Sequence, residues 1–165
     1  MNRSSPAKAR KKIKKIVKAT EAVATKAVAT ERLQYAALPW RKTDRLEIML
    51  VTSRDTRRWI IPKGWPMAGR SGSAAAGIEA MEEAGLLGVI SKEPIGQYFY
   101  EKRFSRDVQT CRVEVFPLRV VRQREDWPEK HERSTQWFPA EEAMDLVSDP
   151  ELGELIGEFI RSFAN

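Results

Sequence analysis

From Gly64 to Leu86 the chain reads GWPMAGRSGSAAAGIEAMEEAGL. It starts in a Gly/Pro/Ser-rich loop, Lys63 to Gly72, and passes into a segment of good helix formers, about Ser73 to Ala84. Ser71 or Ser73 is placed to cap the first amides, and Gly85 suits the left-handed stop. On a wheel of about 100° per residue, Glu79, Glu82, Glu83, Ala75 and Ala76 share one face. Ala74, Gly77, Met81 and Ala84, with Ile78 beside them, form the opposite face. That small apolar face is expected to lie on a sheet, and the acidic face to stay out of the core. Carboxylates three and four residues apart repel by about 0.2–0.5 kcal/mol per pair. A hard cation such as Mg²⁺ converts the repulsion into binding. A merely solvated acidic face is the alternative. The cations Arg54, Arg57, Arg58 and Lys63, just upstream, favour the first reading, because positive side chains and loop amides beside a metal helix suit a polyphosphate.

Working outward, Leu33–Trp40 and Leu46–Thr52 read as strands around the polar turn Arg41-Lys-Thr-Asp44. Trp59-Ile-Ile61 is a short apolar run stopped by Pro62. Further strands are expected near Leu86–Ile90, Gly96–Phe104, Thr110–Val121 and Thr135–Phe138. Pro139 and Pro150 each open a helix, running to about Val147 and Phe163. Strands, one helix, more strands and terminal helices suit an α+β chain, an αβα layered domain with a mixed sheet between helices.

The 165 residues suffice for one such domain. The net charge of +6 is uneven: residues 1–31 hold nine Lys/Arg against two acids, leaving 20 basic and 21 acidic residues beyond. We therefore divide the chain into a basic tail, 1–31, expected to be mobile or loosely helical, and a domain over 32–165. The tail has a near-repeat, Glu21-Ala-Val-Ala-Thr25 and Lys26-Ala-Val-Ala-Thr30. It is the only part whose charge suits RNA, polyphosphate or another acidic surface. No run reaches the roughly 18 apolar residues of a bilayer span, and no apolar stretch follows the basic start as a secretory signal would require. The lone Cys111 sits in an apolar run and is expected to be a buried hydrophobe. These features lead us to expect a cytoplasmic protein without an integral membrane segment.

The Gly64–Leu86 stretch resembles the Nudix box, G-x5-E-x7-R-E-U-x-E-E-x-G-U, where U is a bulky apolar residue. Gly64, Glu79, Glu82, Glu83, Gly85 and Leu86 fall on their places, and Ala80 puts a small residue in an apolar one. The approach Arg58-Trp-Ile-Ile-Pro-Lys-Gly64, and Glu125-Asp-Trp127 followed by Trp137-Phe138 and a helix, are similar to the diadenosine and diphosphoinositol polyphosphate phosphohydrolases. Two positions depart from the pattern. Arg70 stands where the box has its first Glu, and Ile78 where it has Arg, so a pair that steadies the loop against the helix is lost from both sides.

The resemblance implies Mg²⁺-dependent hydrolysis of a phosphoanhydride in a small-molecule polyphosphate, with Mn²⁺ as a second cation. It implies Glu79 and Glu83 as ligands, joined by Glu82 and the Gly64 carbonyl, with Glu82 as base for the attacking water. Glu114 is an extra ligand or a solvent-facing acid. Lys63, Arg54 and Arg103 are candidates to neutralise phosphate charge. Trp65 either stacks on a ring or packs its own loop. His131, in a polar stretch, is expected at the surface. The competing classes are a Nudix-fold module that binds a phosphorylated ligand without turnover, and a nucleic-acid-associated adaptor working through the tail.

Overall fold

The computed structural model describes residues 31–165, together with residues 7, 10–12 and 14–15, which are helical and exposed. The expectation for the remainder of the 1–31 tail lies outside the described residues.

The strands are β1 (Arg32–Lys42), β2 (Leu46–Thr52), β3 (Trp59–Ile60) and β4 (Lys63–Gly64), followed by helix α1 (Gly72–Ala84). After them come β5 (Leu86–Ile90), β6 (Gly96–Arg103), β7 (Val108–Gln123) and β8 (Thr135–Pro139), then helices α2 (Ala140–Leu146) and α3 (Pro150–Ala164). The sheet runs β3-β2-β1-β7-β5, with β4 paired to β1, β6 to β7 and β8 to β2. Among the described residues only the central β1–β7 pair is parallel, from Arg32 opposite Cys111 to Trp40 opposite Arg119. The sheet is therefore mixed, as expected.

Alternation along the strands builds the layers. Ala36 and Leu38 of β1, Ile48 and Leu50 of β2, and Val113 and Val115 of β7 pack with Ala143, Leu152, Ile156 and Phe159 of α2 and α3. Ala37, Met49, Val51, Phe116 and Leu118 point the other way and pack with Ala76, Ala80 and Ala84 of α1. β1 is apolar on both faces because it is covered on both. Cys111 is buried and free. Among the described residues no helix is long and apolar enough to cross a membrane.

The face of α1 that meets the sheet differs from the wheel's. Its buried residues are Ala75, Ala76, Ala80, Glu83 and Ala84, so Ala74, Gly77 and Met81 do not form the packed stripe. The stripe Ala76, Ala80 and Ala84 repeats every four residues and lets the helix lie close to the strands. The wheel sorted residues by charge, whereas size decides this contact. Glu83 goes down with the alanines at 4% exposure, against the expectation that the acids stay outside.

Helix α1 starts where Ser71 accepts from the amide of Ala74 and stops at Gly85, φ 67°, whose N–H donates to the carbonyls of Ala80 and Met81. A Cβ at position 85 would overlap the ring of Trp127. Gly85→Ala combines a left-handed penalty with overpacking and should cost about 2–4 kcal/mol. Urea denaturation reads this directly, and an unchanged midpoint would refute the account.

Candidate active site

A cleft of about 1060 Å³ opens where the end of β1, the 53–58 turn, β4, α1 and the β6–β7 turn meet. Its walls include Glu79 and Glu83 of α1, Lys63 and Gly64 of β4, Trp65, Arg54 of the 53–58 turn and Arg103 at the end of β6. Of the residues singled out in the sequence as ligand or substrate contact, all but Glu82 and Glu114 thus border one space. Glu82 is half-buried on the same helix and is not part of the cleft wall. Among the described residues no three His, Cys, Asp or Glu side chains already stand together as a metal-ligand group.

Two carboxylates are nonetheless placed tightly. Glu79 rests on Gly64, where any Cβ would overlap its carboxylate; only glycine permits that approach. Burial raises its pKa, with Glu82 and Glu129 adding to the rise and Arg133 opposing it. Glu83 is held by Arg133, whose Nη2 donates to Oε1 at 3.3 Å. Its Oε2 is buried and has no hydrogen-bond partner. Burial pushes the Glu83 carboxyl up to about 8 despite the opposing pull of Arg133 and Lys63. One guanidinium is too little compensation because it is shared with Glu129 at 3.2 Å and the Thr52 carbonyl at 3.1 Å. An orphaned buried carboxylate oxygen beside a second acid is an all-oxygen donor set that fits a hard divalent cation.

Lys63 supplies the opposite charge. Its ammonium lies 5.1 Å from the centre of the Tyr100 ring, and no described carboxylate pairs with it within 4.0 Å. Burial lowers its pKa, an effect partly offset by the Glu83 and Asp149 charges. Tyr100 is fixed in turn by a 2.6 Å hydrogen bond to Gln34. The Trp65 ring is stacked by the Arg32 guanidinium at 4.3 Å. Arg54 reaches Glu129 and Glu132 at 3.5 and 3.7 Å, pairs that solvent weakens.

Several wall residues gave no signal in the sequence. Glu129 and Arg133 come from Pro128-Glu-Lys-His-Glu-Arg133, a stretch whose composition says only surface loop, and His131 is indeed exposed. Asp149 precedes Pro150 as a helix cap would, yet it makes no capping bond and borders the cleft, where burial raises its pKa. Glu114 pairs with Arg112 at 2.9 Å and stands outside the cleft.

No family model matches the chain. The solved Ap4A hydrolase of C. elegans superposes over 81% of this chain and 98% of its own, with a TM-score of 0.57 at 20% identity. The dihydroneopterin triphosphate pyrophosphohydrolase of E. coli covers 79% and 95%, with a TM-score of 0.62 at 16% identity. The architecture is therefore that of the Nudix fold. Over 122 residues, 72% of the chain, it is also 30% identical to "Nudix hydrolase 12, mitochondrial" of Arabidopsis thaliana. The chain belongs to the Nudix hydrolase family. It spans about 60% of the length of the curated relatives it matches.

Gly64→Ala should leave the fold intact, since the displaced group is the mobile end of Glu79, and should weaken divalent-cation binding about tenfold or more. Mn²⁺ titration measures this, and wild-type affinity would refute the contact's role. A carboxyl with its folded pKa above the unfolded value favours the folded state at low pH. That advantage is lost as pH rises, here from 4.5 to about 8 for Glu83. In the presence of a chelator, wild-type stability should fall across this window more steeply than that of Glu83→Gln. Equal slopes in denaturant titrations would show that Glu83 does not titrate there.

Proposed function

We propose that the chain is a Mg²⁺-dependent pyrophosphohydrolase that splits a phosphoanhydride bond in a nucleoside- or inositol-type polyphosphate, with Mn²⁺ as an alternative cation. The observation that carries this reading is the buried, unpartnered Oε2 of Glu83 in the same cleft as Glu79 and the carboxylate-free ammonium of Lys63. The likeness to an Ap4A hydrolase and to a dihydroneopterin triphosphate pyrophosphohydrolase supports a substrate with linked phosphates. A diadenosine polyphosphate or a diphosphoinositol polyphosphate meets that description.

In this reading Glu79 and Glu83, with Glu82 and the Gly64 carbonyl, hold the cation, which supplies charge neutralisation at the phosphates when bound. Lys63, Arg54 and Arg103 bind and orient the phosphate chain, and the positive charge they add favours the transition state. Trp65 receives a flat group of the substrate in place of, or together with, Arg32. Glu82 takes a proton from the attacking water; it is near enough to raise the pKa of Glu79. The tail, through its Lys/Arg, associates with RNA, polyphosphate or another acidic surface. The cytoplasm remains our assignment of compartment, although the relative quoted above is mitochondrial by name.

A second reading, a binding module without turnover, is favoured by Arg70 and Ile78 and by the separation of Glu82 from the cleft wall. Incubation with diadenosine polyphosphates, ADP-ribose and diphosphoinositols, with Mg²⁺ or Mn²⁺, separates the two. The enzyme reading expects release of a phosphorylated product from at least one of them. Cation-dependent binding without any product would establish the module instead. In the enzyme, Glu82→Gln should fold normally, keep most of its cation affinity and lose about 10²–10⁴ in rate. Unchanged turnover in that variant removes Glu82 from the chemistry.

A further inference from the structure

Helix α1 carries three glutamates and no basic residue. The charge that compensates Glu83 must therefore come from elsewhere in the chain. It comes from the segment between β7 and β8, which, with the last residue of β7, is fastened to the end of α1 at four points. The Arg124 amide donates to the Gly85 carbonyl at 2.8 Å and the Glu129 amide to the Glu82 carbonyl at 3.0 Å. Gln123 Nε2 donates to the Ala84 carbonyl at 3.0 Å, and the Trp127 ring packs on Gly85. The last carbonyls of a helix have no partner within it. This segment satisfies them and in doing so acquires a fixed position relative to the glutamates.

Arg133 closes the segment, and its side chain is only 8% exposed. Nη1 donates to the Thr52 carbonyl at 3.1 Å, anchoring the guanidinium to β2. Nε and Nη2 lie 3.4 and 3.2 Å from Oε1 of Glu129. With the plane of the guanidinium held from two directions, Nη2 meets Oε1 of Glu83 at 3.3 Å. The contact takes one carboxylate oxygen and leaves the other, Oε2, buried without a partner. A solvated glutamate would spread over several rotamers and offer either oxygen; this one offers a single atom in a single orientation.

We infer that Arg133 is the positioning residue for Glu83: it engages Oε1 so that Oε2 alone is presented to a divalent cation in the cleft. The inference rests on the proposed reading that Glu79 and Glu83 bind that cation. Arg133 does not touch the substrate or the cation; it acts through Glu83.

Mn²⁺ binding to the full chain, followed by isothermal titration, tests this in a double-mutant cycle. The proteins are wild type, Arg133→Gln, Glu83→Gln and the double variant, each checked by thermal melting, with Arg133→Lys added as the conservative replacement. Arg133→Gln should weaken Mn²⁺ binding by about 10–100-fold, the size usual for a group orienting a ligand. Arg133→Lys should recover part of the loss. In the Glu83→Gln background, Arg133→Gln should change affinity by no more than about twofold. An equal loss in both backgrounds would mean that Arg133 supports the fold generally, and wild-type affinity in Arg133→Gln would mean that it supports nothing at the site; either overturns the inference. Should Arg133→Gln fail to fold, the same cycle is closed with Arg133→Lys and judged by the same comparison. A wild-type chain that binds no Mn²⁺ overturns the metal-site reading and this inference with it. Wild-type binding with an additive cycle overturns this inference alone.

Discussion

The close seating of α1 on the sheet through Ala76, Ala80 and Ala84 is the constraint on which the site depends. Small side chains bring the helix axis near β1, β5 and β7, and this carries Glu83 below the surface and Glu79 onto Gly64. A bulkier stripe would lift the helix and return both acids to water, where they would be ordinary solvated glutamates. Burial of the acids follows from the packing of the alanines.

That burial has a cost, because a desolvated carboxylate is unfavourable unless it is paired. In this fold the cost is met only in part: Arg133 serves Glu83, Glu129 and the Thr52 carbonyl together. The result is two acids whose burial disfavours their charged forms, beside a Lys63 that no described carboxylate pairs with. Such an arrangement contributes little to stability as it stands; in the proposed reading its gain comes when a cation and a phosphate chain bind. The 124–134 segment has two tasks, closing the end of the helix and delivering the arginine, so the mechanical and electrostatic supports of the site are one piece of chain.

Much of this was legible in the sequence. Strand alternation and the flanking Pro and Gly residues placed nearly every element, including both terminal helices. Two-residue β4 was hidden because two residues carry no periodicity. The spacing of Glu79, Glu82 and Glu83 marked the helix that walls the cleft, and Gly64, Lys63, Arg54, Arg103 and Trp65 border the same space. What failed was the rotation of the helix: a wheel scores polarity, while alanines pack by size, so all three acids were expected outside the core although Glu83 is buried. Arg133, Glu129 and Asp149 were invisible because tertiary position alone gives them meaning. A polar loop residue and a cap that does not cap look the same in one dimension as those that do nothing.

The single parallel ladder has a consequence for how the molecule comes into being. β1 finds its central neighbour only in β7, with Arg32 opposite Cys111 and Trp40 opposite Arg119. During synthesis the β7 side of β1 therefore stays open until β7 has been made, long after the partners on its other side, β2 and β4. Pairings so distant along the chain form late and slowly. For that interval one edge of the nascent β1 offers unpaired backbone groups, a template for pairing with the wrong strand.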